Sequence, residues 1–255
     1  MGASRSRWSE RRLVRVVPRI AGSFTAAGSG STVPGMKVTY YLEVTSSWCF
    51  WAEPAWAELK RRYADRVAFD WRIARMQPGD WPVSRAQCEW FYRRSGTIMR
   101  SPFMLSAAGY EPPGAGEYPA ASYVAEAARD FGFTGDEIRL ALAHAIERDG
   151  QPVGRMGVAV AVAVAAGGGR LDAAALRTAA ESAAVAARIE AGTSAFLAHQ
   201  VTQRPAFVLE SPIGDKAVFS GLAKAEPIAA ALDAMLADCA AYASYRAHFG
   251  EPPAS

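Results

Sequence analysis

Residues 37–56 read KVTYYLEVTSSWCFWAEPAW, and the hydrophobic period changes halfway along. The first eight, KVTYYLEV, are β-branched and aromatic and predict a buried strand. From Phe50 the apolar residues recur at helical spacing, with Pro54 expected near the first turn, where proline is tolerated. Residues 66–76, RVAFDWRIARM, alternate Val67, Phe69, Trp71 and Ile73 and predict a second strand. Strand, helix and strand in this order make a βαβ opening, with Cys49 at the first strand-to-helix junction.

The middle of the chain is helical in pattern. Glu117-Tyr118-Pro119 opens a segment with Ala121, Val124, Ala125, Ala128 and Phe131 on one face. Thr134-Gly135-Asp136-Glu137 has the form of a capping box, ahead of Ile138, Ala141, Leu142, Ala145 and Ile146. Residues 153–166 alternate Val with Ala, as a strand would, but Pro152 before and Gly167 after favour a helix. Residues 172–200 predict two helices, the second with Val185, Ile189, Phe196 and His199 on one stripe. The β pattern then returns: PAFVLES (205–211), a turn at IGD, KAVFSG (216–221), and a long terminal helix. The expected fold is α/β: a thioredoxin-like fold with an inserted all-helical domain. The expected layout is a flexible N-terminal extension over 1–35, a thioredoxin-like domain from 36–78 and 201–250, and a helical insertion over 79–200.

The chain has 255 residues, half of them hydrophobic, and a net charge of +3. That composition predicts a folded protein and gives no reason to expect nucleic acid or a membrane surface as partner. Cys49, Cys88 and Cys239 are too far apart for a disulfide framework or a zinc set, so no metal is expected and a reducing, cytoplasmic setting fits. Residues 1–35 are rich in Arg, Ser and Gly and read as a tail, or as an upstream start ahead of Met36.

Three stretches together resemble the DsbA-like thioredoxin group, which includes FrnE-like oxidoreductases, kappa-class glutathione transferases and 2-hydroxychromene-2-carboxylate isomerases. They are SSWCFW after the first strand, VTQRPAFVLES with its proline, and EYPAASYVAEAARDFG with the helices after it. The resemblance covers about residues 37–240. It implies that Ser46 takes the leading position of the active-site motif and Cys49 the second. It implies that Pro205 is a cis-proline beside the active-site helix. The Ser-first pattern is similar to that of the kappa transferases and chromene isomerases. There the leading serine hydrogen-bonds the thiolate of glutathione, so the resemblance implies glutathione or another low-molecular-weight thiol as cofactor at Ser46. Kappa-like proteins are often dimers, so a homodimer is compatible with it. Two positions depart from those families: Ser47 replaces the motif proline, and Leu222-Ala223 stand where they carry an acidic residue.

A serine hydroxyl cannot form a disulfide, so the two-cysteine redox cycle is closed to Ser46 and Cys49. Three readings stay open: thiol-linked oxidoreductase-type chemistry at the Ser-x-x-Cys site, a glutathione-dependent isomerase or transferase, and a binding module without catalysis. Cys49 is either a lone reactive thiol or a small packing residue. Arg204 either clamps a carboxylate of a small-molecule thiol or substrate, or points to solvent. His199 is either a base near Ser46 or a satisfied core residue. Trp48 belongs with Phe50, Trp51, Trp81, Trp90, Phe91 and Tyr92, which either line a cleft or fill the core.

Overall fold

The computed structural model describes residues 35–111, 120–221 and 224–251. Strands β1 (Lys37–Leu42), β2 (Ala68–Ile73), β3 (Ala206–Glu210) and β4 (Lys216–Ser220) form one mixed sheet in the order β2-β1-β3-β4. β1 runs parallel to β2 and antiparallel to β3, with Tyr40 opposite both Trp71 and Phe207. Helix α1 (Ser47–Tyr63) makes the crossover between the parallel pair. Between β2 and β3 the chain forms α2 (Arg85–Ile98), α3 (Ala120–Ala128), α4 (Glu137–Glu147), α5 (Met156–Ala166), α6 (Ala173–Ala180) and α7 (Ala183–Ala198). After the β3–β4 hairpin comes α8 (Ala225–Phe249).

Alternation along β1 sorts its side chains. Val38, Tyr40 and Leu42 face the main core with Trp56 and Leu59 of α1 and Ile228 and Leu232 of α8. Tyr41 faces the opposite side with Ala206, Val208 and Phe196. Burying each large apolar side chain of this kind contributes about 1.5–3 kcal/mol. Tyr40 stacks on Phe207 at 4.8 Å and tilts against Trp56 at 5.1 Å. α7 returns from the helical block to this second face. Its Gly192 sits where an added Cβ would lie 2.4 Å from the Ile73 carbonyl oxygen, so only glycine allows the approach. Thr193 beside it accepts from the Arg75 amide at 3.0 Å.

Several expectations need correction. α1 begins at Ser47, so Pro54 lies inside the helix rather than near its start. The missing N–H of Pro54 costs one intrahelical bond, and packing of Trp51, Ala52, Ala55 and Trp56 holds the helix through it. The Thr134–Glu137 capping box does not form. Asp136 is the N-cap of α4 and caps nothing with its side chain. Its carboxylate instead accepts from Arg139 at 2.7 Å, Lys60 at 2.8 Å and the Trp56 indole at 3.1 Å. Phe131 lies in a short 3-10 turn and is partly exposed rather than on the buried face of α3. Residues 153–166 do contain a helix, α5, because helices α3, α4 and α6 surround it and no strand edge is near. Glu117-Tyr118-Pro119, Leu222-Ala223 and the extension up to residue 34 lie outside the described residues.

Candidate active site at the start of helix α1

β1 ends at Leu42, and Glu43–Ser46 turn the chain into α1, closed by the Ser46 amide donating to the Glu43 carbonyl at 3.1 Å. Ser46 is the N-cap residue, with extended backbone angles (φ −94°, ψ 119°), and its hydroxyl caps no helix amide. The first turn of α1 carries no acidic residue. Its amides therefore present a partial positive charge that nothing in the turn neutralises. Trp48 and Ser47 are half-buried on the rim, and Ser46 is buried just behind them. Thr45 brings a buried hydroxyl with no hydrogen-bond partner among the described residues.

Cys49 lies one turn further in and is 2% exposed. Burial pushes its thiol up to about 12; a hydrogen bond from the Glu43 amide, at 3.5 Å, and one from the Ser46 hydroxyl act in the opposite direction without overcoming it. A thiol of that kind is almost entirely protonated at neutral pH and a poor nucleophile. The packing-residue reading of Cys49 is the one its surroundings match.

The Arg204–Pro205 peptide is cis. Tyr41 pairs with Ala206, so extending the register lays Pro205 and Arg204 alongside the Leu42–Glu43 end of β1. This puts the proline loop next to the turn that carries Ser46. The Arg204 guanidinium takes neither course expected of it. It folds back into the protein, 6% exposed, and donates to the carbonyls of Ala74 and Arg75. It also stacks on Phe196 at 4.7 Å and faces the Asp80 carboxylate at 3.5 Å. With the Thr202 carbonyl at 3.4 Å, three carbonyls and one carboxylate on its own chain tie this cation down.

Glu43 was part of a strand motif in the sequence and nothing more. In the structure it is fully buried, and burial raises its carboxyl above the ordinary value. The Ser122 hydroxyl of α3 donates to it, the Met76 amide approaches at 3.4 Å, and the Arg204 charge works to lower it. Glu43, Cys49, Ser46 and Arg204 thus share one buried polar centre, joined to the helical block through Ser122. No sequence pattern links positions 43, 122 and 204; only an acid at the buried end of a strand hints that a partner must exist.

The remaining candidates separate. His199 does not accompany Ser46: its Nε2 is 3.3 Å from the Tyr41 hydroxyl on the other face of the sheet. Phe50 and Trp51 are buried at the seam with Phe103, and His144 meets Phe50 edge-on at 5.3 Å. Tyr92 is buried with Cys88 inside α2, whereas Trp90 is 55% exposed on the outside of that helix. Cys239 is buried in α8 with Leu232, Met235 and Leu236. Among the described residues no His, Cys, Asp and Glu side chains group to hold a metal ion. No helix of the described residues is long and apolar enough to cross a membrane.

No family model and no curated protein matches the chain. Solved structures do match its fold. The cytosolic disulfide reductase DsbM from Pseudomonas aeruginosa superposes with a TM-score of 0.62 at 16% identity, over 78% of this chain and 98% of that one. The same protein with GSH gives 0.62 at 15% identity, with the same coverage of both chains. DsbA from Pseudomonas aeruginosa gives 0.52 at 14% identity, over 85% and 91%. A 2-hydroxychromene-2-carboxylate isomerase gives 0.50 at 16% identity, over 82% and 98%. At these identities the likeness establishes the fold: a DsbA-like thioredoxin fold with helices inserted between β2 and β3.

Proposed function

We propose that this chain performs thiol-linked chemistry in which the nucleophile arrives with a small thiol, glutathione or a compound like it, rather than from Cys49. The observation that carries the reading is the contrast at the start of α1. The cysteine is sealed and protonated, while the helix end beside it offers uncapped amides and the Ser46 hydroxyl. A thiolate held there gains the helix charge and a hydroxyl donor, which favours its ionised form. The backbone of Arg204 next to the cis-proline supplies further donors or acceptors to the body of the ligand; the buried guanidinium keeps that loop in place.

The bound thiolate would attack an electrophilic sulfur or carbon of a second substrate. Addition and later departure of the thiolate gives isomerisation, its displacement of a leaving group from carbon gives transfer, and its attack on a disulfide, with a second small thiol releasing the mixed disulfide as the oxidised small thiol, gives reduction. The disulfide reductase bound to GSH and the chromene isomerase among the fold neighbours support this range. Three free cysteines suit a reducing compartment such as the cytoplasm.

Calorimetry with glutathione tests the reading. Wild type is expected to bind, S-methylglutathione to bind more weakly, and Ser46→Ala to lose about ten- to hundredfold, the worth of a hydrogen bond to a charged group. No binding at millimolar glutathione sinks it. A native mixed disulfide at Cys49 on exposure to glutathione disulfide would point to one-cysteine exchange instead.

A further inference from the structure

The inner face of α2 is spoken for. Cys88, Tyr92, Ser95 and Gly96 are buried, and the Trp51 indole donates to the Ser95 hydroxyl at 3.0 Å. The outer face has a different character. Trp90, Arg94 and Ile98 follow one another at four-residue spacing, a ridge about 12 Å long. Arg93 and Thr97 form the row beside it, and Arg100 follows just past the helix end. All six are exposed, Trp90 by 55% and Ile98 by 61%. The Arg94 guanidinium lies 5.1 Å from the Trp90 ring and 5.3 Å from the Phe91 ring, so it is held against the aromatics rather than swinging free. Met104, 55% exposed, packs its sulfur on Gly96 on the inner side of α2 and is not part of this ridge.

Charge on this face runs one way. Arg85, Arg93, Arg94 and Arg100 are opposed by the single acid Glu89, which is 3.5 Å from Arg85. Among the described residues Arg93, Arg94 and Arg100 enter no ion pair, although ion pairs are common over the rest of the surface. Exposed tryptophan and arginine side by side, with Ile98 at the far end, have the composition of a protein-binding hot spot.

We propose that the outer face of α2 docks an acidic amphipathic segment of another protein. Its apolar side chains cover Trp90 and Ile98, and its carboxylates meet Arg93, Arg94 and Arg100. Guanidinium forks pair two-pronged with carboxylates. Two apolar anchors about 12 Å apart are spanned by residues seven to eight apart on a docked helix. Nucleic acid would use the arginines and the tryptophan but gains nothing from Ile98, which here is as exposed as Trp90. The face of α2 turned to α1, through Ser95 and Trp51, is the opposite one, so this inference does not rest on the thiol reading.

The test uses the full chain and a fluorescein-labelled 18-residue peptide with Leu at positions i, i+4, i+7 and i+11 and mostly Glu between them. Two control peptides replace every Glu by Gln or by Lys. In anisotropy titrations the acidic peptide is expected to bind about tenfold or more tighter than the Gln form, and the Lys form not at all. Raising sodium chloride from 20 to 300 mM is expected to weaken it severalfold. Arg93→Glu/Arg94→Glu and, separately, Trp90→Ala are each expected to lose about tenfold while keeping the melting temperature of the wild type. Absence of binding, equal binding of the Glu and Gln peptides, or unchanged binding in the double variant overturns the proposal. Displacement of the peptide by a 12-residue oligothymidylate that binds more tightly also overturns it, in favour of a nucleic-acid surface.

Discussion

Glu147, at the end of α4, is fully buried, and neither carboxyl oxygen has a hydrogen-bond partner among the described residues. The Tyr92 hydroxyl approaches it without closing a bond of normal length and offsets only a little of the burial, which pushes the acid up to about 8. The folded state therefore keeps a proton that the unfolded chain releases. Stability from this group is complete below the ordinary value near 4.5 and is lost as pH rises toward about 8, on the order of 1.4 kcal/mol per pH unit. Glu147→Gln is expected to flatten that slope, leaving a fall of the same sign from Glu43 and Glu53, whose carboxyls burial also raises. Urea midpoints at pH 5, 6.5 and 8 check this; parallel slopes for the two proteins would contradict a neutral Glu147. The three thiols give a second expectation. All are buried, and Cys49 is held protonated, so Ellman's reagent at pH 8 should modify none within minutes in the folded chain and all three in guanidinium. Fast labelling of one thiol in the folded protein, assigned to Cys49 by mass, would remove the basis for an external nucleophile. At this scale the sequence marked Ser46, Cys49 and Pro205 because each sits in a short motif. It was silent on Glu43 and on the inward fold of Arg204, because partners about 30 to 160 residues away in sequence decide both.

The junction of α1 and α4 rests on one buried cation. Arg139 is 2% exposed and pairs with Glu53 of α1 at 2.5 Å and with Asp136 at 2.7 Å. Removing the cation strips the buried Glu53 of its counter-charge, while Asp136 keeps Lys60 and the Trp56 indole. Arg139→Met is expected to cost roughly 3–5 kcal/mol, and Arg139→Met/Glu53→Gln to recover a good part of it. Urea unfolding of the three proteins is the measurement; an additive double variant would mean the pair is not coupled. The same junction shows where elements were legible and where not. β2, β4 and the paired helices α6 and α7 follow from periodicity, and β1 and β3, buried on both faces, follow from their unbroken runs of β-branched and aromatic residues. The cap of α4 did not follow, since Asp136 is recruited by Arg139, Lys60 and Trp56 from tertiary structure, a demand no local motif expresses. α2 had no reading of its own, because its outer face mixes arginine with tryptophan and blurs the apolar stripe.

Over the whole molecule one hydrophobic core runs without a break from Val38, Tyr40 and Phe207 of the sheet to Val124, Leu142 and Val160 of the helical block. The polar link from Ser122 to Glu43 crosses the same seam. A continuous core leaves no weak plane, so the sheet and the helices are expected to melt as one unit. Calorimetry should give a single transition whose calorimetric and van't Hoff enthalpies agree; two resolved transitions would show that the seam is a true boundary. The overall α/β plan was legible because the sheet's strands lie at the two ends of the chain and the helices between them. Their continuity was not, since α7 leaves the helical block to pack on Tyr41 and β2. The pairing of β1 with β3 has a kinetic side. Tyr41 and Ala206 are neighbours in the sheet yet about 165 residues apart in sequence, and closing so long a loop in an unstructured chain costs roughly 4–5 kcal/mol of entropy. Helices collapsing between them shorten that loop first. The rate at which this protein folds should then follow the helical block, with substitutions in α3 and α4 slowing refolding and those in β4 mainly speeding unfolding.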